Sequence, residues 1–320
     1  MKTVFFGTPE FAVPTLRAMT ENGYRPDLVV TQPARPVGRG RKLQDPPVAV
    51  WARANGLDVR QPEKVKEAAF MEEMAALEPD VAVVVAFGQI FRRSLLELPK
   101  HGCINVHASL LPLYRGAAPI QAAIAEGDAV TGVTTMKMDV GLDSGPMLLK
   151  AELEIGPTET SAELAPRLAE LGADLLVETL NALAAGTLSE EAQDADQATF
   201  APRLTKADGQ VDWQLPAETI YNRLRAFTPW PGQATVLDEK PLKILANQAL
   251  STEPDFNLPD GIEDLPGTFL GQVNGLLAVR CAPGTVLGLE RVQRPGKKPV
   301  DATDLMNAER LQPGTRFGPA

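Results

Sequence analysis

The sequence predicts an α/β protein, with a doubly wound, mostly parallel sheet followed by a smaller antiparallel β-barrel. Three observations predict it. Apolar runs at residues 2–6, 28–30 and 80–87 alternate with segments of helical period, and the third, DVAVVVAF, is nearly continuous, as in a strand buried on both faces. From residue 234 onward the β-prone runs ATVL, LKIL, GTFLGQV, GLLAVRC and GTVLGLERV are separated by Gly and Pro turns, the spacing of a small barrel. Residues 187–208 are polar and acidic with no sustained period, so they read as a linker between a domain over 1–186 and a barrel domain over 209–320.

The first strand ends at Gly7, and Thr8 as N-cap with Pro9 at the first helical position opens a helix whose apolar positions include Phe11, Val13, Leu16 and Met19. That turn has one glycine followed by Thr-Pro, not G-x-G-x-x-G, so a dinucleotide site is not indicated. After the second strand comes QPARPVGRGRKLQDPP, residues 32–47, carrying Arg35, Arg39, Arg41 and Lys42 before its first acid at Asp45. Its prolines and glycines predict irregular structure, and a loop this long in a compact domain is usually functional or disordered. Helices are expected over 48–55 and 63–77, and the strand over 80–87 runs into Gly88-Gln89-Ile90. A short helix over 119–125 is closed by Gly127, strands over 131–138 and 147–155 flank DVGLDSG, and a Leu- and Ala-rich helix over 159–185 is closed by Gly186. Residues 212–227 return to helix and end in the rigid corner Thr228-Pro229-Trp230-Pro231-Gly232.

Residues 102–119, GCINVHASLLPLYRGAAP, carry the chemistry. Ile104 and Val106 alternate with Cys103, Asn105 and His107, a strand pattern that puts the polar residues on one side. An open parallel sheet binds ligands beyond the carboxyl ends of its strands, so Asn105 and His107 are placed to act. A lone histidine is more often a core residue satisfied by a carbonyl; the nearby Asn and the Pro- and Gly-rich loop reverse those odds. Asp143, among the glycines of Val140-Gly141-Leu142-Asp143-Ser144-Gly145, is the candidate partner, although D-S-G is also a common turn. An amide donor, an imidazole and a carboxylate suit direct attack of a substrate nucleophile on a carbonyl: Asn105 would donate to the oxyanion while Asp143 orients His107 and relays a proton. From the residues alone, this is a transferase or hydrolase acting on a carbonyl.

Hydrophobic residues are 44% and charged residues 22%, and no apolar run reaches bilayer length. Met1-Lys2 leads straight into a strand rather than a signal sequence. Cys103 and Cys281 are far apart, so neither a disulfide framework nor a zinc site has support, and a reducing cytoplasm fits. A metal site of His101, Cys103, Asn105 and His107 would lack a second ligand cluster, so no metal is expected. The net charge is -10, yet residues 1–62 hold 9 basic and 5 acidic side chains, residues 63–264 hold 15 and 32, and residues 265–320 hold 7 and 4. Basic ends around an acidic middle permit a polyanionic partner.

These residues resemble the 10-formyltetrahydrofolate-dependent formyltransferases, whose signature is Asn-x-His followed by S-L-L-P-x-x-R-G and a later Asp. Here it reads Asn105-Val106-His107, Ser109-Leu110-Leu111-Pro112, Arg115-Gly116 and Asp143. Ala117-Ala118-Pro119, the GTPEFA start, the RPVGRGRKL loop and the Thr228 to Gly232 corner are similar to the branch of that family whose acceptor is a charged tRNA. The resemblance spans nearly the whole chain and implies a Rossmann-like catalytic domain and an OB-like barrel that binds RNA; separately, a monomer is expected. It implies that Asn105, His107 and Asp143 are catalytic, with 10-formyltetrahydrofolate as cosubstrate. Ser109, Leu110, Leu111, Pro112, Gly88, Gln89, Ile90, Val140 and Gly141 would line the folate pocket. Phe11 would lie near a methionyl side chain. Arg35, Arg39, Arg41, Lys42, Lys206, Arg291, Arg294, Lys297 and Lys298 would meet the acceptor stem of a methionyl initiator tRNA. His101, Gln89, Phe91 and the acidic insertion near 253–264 depart from the family pattern. A non-catalytic RNA-binding module is the competing class, and the intact Asn105, His107 and Asp143 set argues against it.

Overall fold

The computed structural model describes residues 1–37, 40, 42–250, 256, 258–259, 261–282 and 284–318. In chain order its elements are β1 (Thr3–Gly7), α1 (Val13–Glu21), β2 (Leu28–Val30), β3 (Arg35–Val37), β4 (Lys42–Gln44), α2 (Pro47–Ala54), β5 (Val59–Arg60), α3 (Ala68–Leu77), β6 (Val81–Val85), α4 (Arg93–Leu96), β7 (Cys103–His107), β8 (Arg115–Gly116) and α5 (Pro119–Glu126). They continue as β9 (Val130–Lys137), β10 (Met147–Glu154), α6 (Ser161–Ala185), β11 (Phe200–Ala201), α7 (Ala217–Ala226), β12 (Gln233–Leu237), β13 (Lys240–Ala249), β14 (Phe269–Val273), β15 (Leu276–Cys281), β16 (Thr285–Gln293), β17 (Val300–Asp301), α8 (Ala302–Glu309) and β18 (Phe317–Gly318). Two compact units result: Met1–Pro119, Val130–Ile155 and Glu163–Pro202 form the first, and Ile120–Ala129, Gly156–Ala162 and Arg203–Ala320 the second.

The first unit holds a seven-stranded sheet in the order β10-β9-β7-β6-β1-β2-β5. The five strands from β7 to β5 are parallel, and β9 and β10 extend that sheet as an antiparallel hairpin. All five residues of β6 are buried, as the unbroken apolar run demands. Chain progress reverses between β1 and β6, which opens the crevice where such sheets take ligands. Phe6 is fully buried beneath that crevice, with the rings of Phe70, Phe87 and Phe91 edge-on at 4.9–6.4 Å.

The expected helix N-cap at Thr8 is corrected. Its hydroxyl donates to the Phe87 carbonyl at 3.0 Å across the crevice, and the helical stretch opens instead as a short 3-10 turn at Glu10. A partly buried bond between strand ends outcompetes the local cap. Neighbouring amides extend the tie: Gln32 Nε2 donates to Phe87 O at 3.1 Å, and Gln61 Nε2 donates to Gln32 O at 3.0 Å.

The basic stretch 32–47 is not wholly irregular. β3 and β4 pair as a hairpin, Arg35 opposite Gln44 and Val37 opposite Lys42. In so short a two-stranded ribbon each strand is an edge, which tolerates Pro36. Arg39 and Arg41 lie outside the described residues.

Residues 187–208 are also more than a free linker. Met147 and Glu191 exchange backbone hydrogen bonds at 2.8 and 2.9 Å, and β11 pairs in parallel with β8. These are two-residue or single-residue backbone pairings, too short for side-chain periodicity to carry a sign of them. Two expected helices start later than their patterns suggest. α3 begins at Ala68 because Val65 N is held by Gln89 Oε1 at 3.0 Å, and α7 begins at Ala217, after Pro216.

In the second unit the strand order is β14-β15-β16-β13-β12-β18, antiparallel throughout. Phe269 N donates to Thr315 O at 2.8 Å and Phe317 N to Gly267 O at 2.7 Å, closing the last strand back on the first. The barrel is filled by Leu242, Ile244, Phe269, Leu277, Leu287, Leu289 and Phe317, with Trp213 against Phe317. Among the described residues no helix is long and apolar enough to cross a membrane.

Candidate active site

The alternation in β7 divides its side chains between two environments. Val106 faces α6, so closely that a Cβ at Gly172 would stand 2.8 Å from Val106 Cγ1. On the opposite face Cys103 is sealed against α4, its Sγ 3.8 Å from Leu95 O and 3.9 Å from Leu96 O. Burial pushes that thiol up to about 12, which makes it a packing group rather than a nucleophile. Asn105 comes next on this face and is the only half-buried residue of the strand. Among the described residues nothing hydrogen-bonds its carboxamide, leaving an amide donor free beside His107.

His107 is 5% exposed and held by the turn that follows. Ser109 Oγ donates to Leu113 O at 2.6 Å, Thr134 Oγ1 donates to Ser109 O at 2.7 Å, and Tyr114 adopts φ +59°. This shape presents the Tyr114 carbonyl to His107 Nε2 at 3.0 Å. A carbonyl only accepts, so Nε2 carries the ring proton and Nδ1 is the nitrogen turned toward Asp143, whose Oδ2 lies 3.8 Å away. That separation is too long for a direct hydrogen bond.

Two glycines allow Asp143 to approach. Gly116 has φ +124°, and a Cβ there would come 2.5 Å from Ala201 O; its N–H donates to Asp143 Oδ2 at 2.9 Å. At Gly145 a Cβ would stand 1.9 Å from Lys137 O. Asp139 folds the loop by accepting from Gly141 N and Ser144 Oγ, both at 2.9 Å. Gln193 locks it, donating from Nε2 to Asp143 O at 2.8 Å and Gly145 O at 2.7 Å while its Oε1 accepts from Arg115 Nε at 2.9 Å. The D-S-G turn and the partner of His107 are therefore the same structure.

Residues 1–180 match the formyl transferase model, and residues 203–310 match the model of the formyl transferase C-terminal domain. This chain belongs to the formyl transferase family. It is 46% identical to the methionyl-tRNA formyltransferase of Geobacter metallireducens over 99% of both chains. It is 48% identical to that of Acidobacterium capsulatum over 99% of this chain and 100% of that one. In fold it is similar to an N-formyltransferase from Helicobacter canadensis solved with folinic acid and dTDP-3-aminofucose, at TM-score 0.67 and 18% identity over 90% of this chain and 98% of that one.

In this formyl transferase the other expected residues divide into several groups. Arg35, Gly88, Gln89 and Ile90 border one cleft of about 520 Å³, together with Lys64, Lys66 and Arg92. Ile90 is 92% exposed and Val140 65%, two apolar side chains on the loops after β6 and β9. Leu110, Pro112 and Phe11 are half-buried. Four further folate candidates are engaged within the fold. Ser109 and Leu111 are buried, the first closing the turn and the second packing on Met136 and Met147. Gln89 closes on Val65 N and Glu63 O, and the Gly141 N–H closes on Asp139.

Of the basic residues, Lys42, Lys206, Arg291, Lys297 and Lys298 are exposed. Arg294 pairs with Glu309 and donates to the carbonyls of Leu237, Lys240 and Pro241. Within the acidic insertion Asp264 pairs with Arg280, so its end anchors the barrel. Sequence reasoning missed Gln193, Tyr114 and Asp139. The D-x-G-x-D spacing offered a signal for Asp139, and nothing local signalled the others.

Gln193→Leu is expected to lower formyl-transfer turnover about tenfold or more through misplacement of Asp143, with a smaller change in KM. Steady-state kinetics checks this, and unchanged kcat would make Gln193 a stability residue only. Iodoacetamide at pH 8 is expected to leave Cys103 unlabelled in the native protein and to label it after denaturation, as peptide mass spectrometry can follow. Rapid native labelling with loss of turnover would contradict the packing role.

Proposed function

We propose that this formyl transferase moves the formyl group of 10-formyltetrahydrofolate to the α-amino group of methionyl initiator tRNA, in the cytoplasm and as a monomer. The observation that carries the chemistry is the unengaged Asn105 carboxamide beside the His107–Asp143 pair. The acceptor rests on identity of 46–48% to methionyl-tRNA formyltransferases along both domains. Residues 1–186 would perform catalysis and 209–320 would hold RNA.

The free amine is already a fair nucleophile near neutral pH, so positioning and charge stabilisation outweigh proton removal. As the amine nitrogen bonds to the formyl carbon, the carbonyl electron pair moves onto oxygen, and Asn105 donates a hydrogen bond to it. His107 Nδ1, when protonated, is the second donor. Asp143 takes the proton that the amine sheds and delivers it to the folate nitrogen as the carbon–nitrogen bond to folate breaks. Ile90 and Val140, exposed and apolar, suit the flat faces of a pterin and its benzoyl group. Arg35 and Lys42 would meet phosphates near the acceptor end, and Lys206, Arg291, Lys297 and Lys298 those farther along.

Supplying formyltetrahydrofolate with methionyl initiator tRNA, free methionine or a dTDP-aminosugar, in parallel, tests the acceptor. The expected result is rapid formylation of the tRNA alone; preferential formylation of the sugar nucleotide would overturn the reading.

A further inference from the structure

The second unit carries a cleft in which only Lys206 has been given a role, as a phosphate contact. It measures about 480 Å³, in the range of small-molecule sites, and is bordered by Trp230, Leu245, Lys206, Lys243, Gln210 and the Pro229–Pro231 corner. Trp230 is 54% exposed, an unusual position for the largest apolar side chain. Its backbone is fixed: Gly232 N donates to Phe227 O at 2.9 Å, Thr228 Oγ1 to Leu224 O at 2.7 Å, and a Cβ at Gly209 would meet Gly232 O at 2.4 Å. The ring is thus presented on a rigid support.

The charge around it is one-sided. No Asp or Glu borders the cleft, and among the described residues neither Lys206 nor Lys243 has an ion-pair partner. Gln210 adds an unmet acceptor, since its Oε1 is buried and has no hydrogen-bond partner. An aromatic plate, two uncompensated ammonium groups and a vacant acceptor match, respectively, the face of a base, its flanking phosphates and an exocyclic amino group. A duplex keeps its bases stacked internally, so the plate suits a splayed one.

We propose that the Trp230 cleft seats an unpaired nucleotide of the RNA substrate, with the base stacked on Trp230, its amino group donating to Gln210 Oε1, and Lys206 and Lys243 holding the adjoining phosphates. The inference rests on the proposed tRNA acceptor.

The test measures binding of methionyl-tRNA to the full-length protein by filter retention across a salt series, alongside steady-state formylation. Trp230→Leu should weaken binding about tenfold, as loss of one base stack does, with kcat at saturating tRNA unchanged. Trp230→Phe should restore binding to within about threefold, and Lys243→Ala should reduce the salt slope by about one. If the wild type formylates the tRNA and Trp230→Leu binds it as tightly, this inference fails alone. Binding lost together with thermal stability, and not restored by Trp230→Phe, would make the corner purely structural and also overturn it. A wild type that neither binds nor formylates methionyl-tRNA would remove both the acceptor assignment and this site.

Discussion

Asn105→Ala is expected to lower kcat by about 10²–10³ while leaving the KM for methionyl-tRNA nearly unchanged. A single oxyanion donor in a preorganised site contributes this much, and it acts mainly as charge develops on oxygen. The geometry makes Asn105 a clean target. Its carboxamide supports no neighbouring group among the described residues, so truncation removes the donor without breaking an internal network. Thermal unfolding should therefore hardly shift. Near-normal turnover in this variant would assign oxyanion stabilisation to other groups and reduce Asn105 to a space between Cys103 and His107.

Asp143→Asn is expected to be at least as damaging, with a loss of 10² or more in kcat. Asparagine can preserve almost everything that holds the loop. It tolerates the observed φ of +48°, and its carbonyl oxygen can accept the Gly116 N–H that Asp143 Oδ2 now takes at 2.9 Å. What it cannot do is put a negative charge 3.8 Å from His107 Nδ1 or accept the amine proton. A folded but inactive variant is the prediction, measured by circular dichroism and steady-state formylation together. Retained activity would return Asp143 to the role of a turn residue.

The candidate group of Asn105, His107 and Asp143 was legible because its signals are local. A period-2 pattern put Asn105 and His107 on one face of one strand, and a carboxylate set among glycines marked the loop that reaches them. The sheet and barrel followed from the same kinds of pattern, an unbroken apolar run in β6 and short β-prone runs between turns. What escaped depends on contacts between distant residues. Gln193 reaches Asp143 across 50 positions from a stretch with no periodic pattern, so its role exists only in three dimensions. Thr8 suits an N-cap by type and sits instead on a carbonyl 79 positions away. Glu309 and three carbonyls surround Arg294, partners that lie 15 and more than 50 positions away and leave no local sign. The β3–β4 hairpin was hidden by Pro36, whose missing N–H matters only where a strand has neighbours on both sides.

The most direct test of the central claim is a single-turnover reaction with formyl-labelled 10-formyltetrahydrofolate and methionyl initiator tRNA, quenched over time and followed by separation of protein and RNA. Direct amine attack assisted by Asn105, His107 and Asp143 predicts label passing from folate to N-formylmethionyl-tRNA, none becoming covalently attached to protein, and the rate falling by about 10² or more in Asp143→Asn. Label accumulating on the protein before it reaches the RNA, or transfer that is as fast in Asp143→Asn as in the wild type, would contradict it.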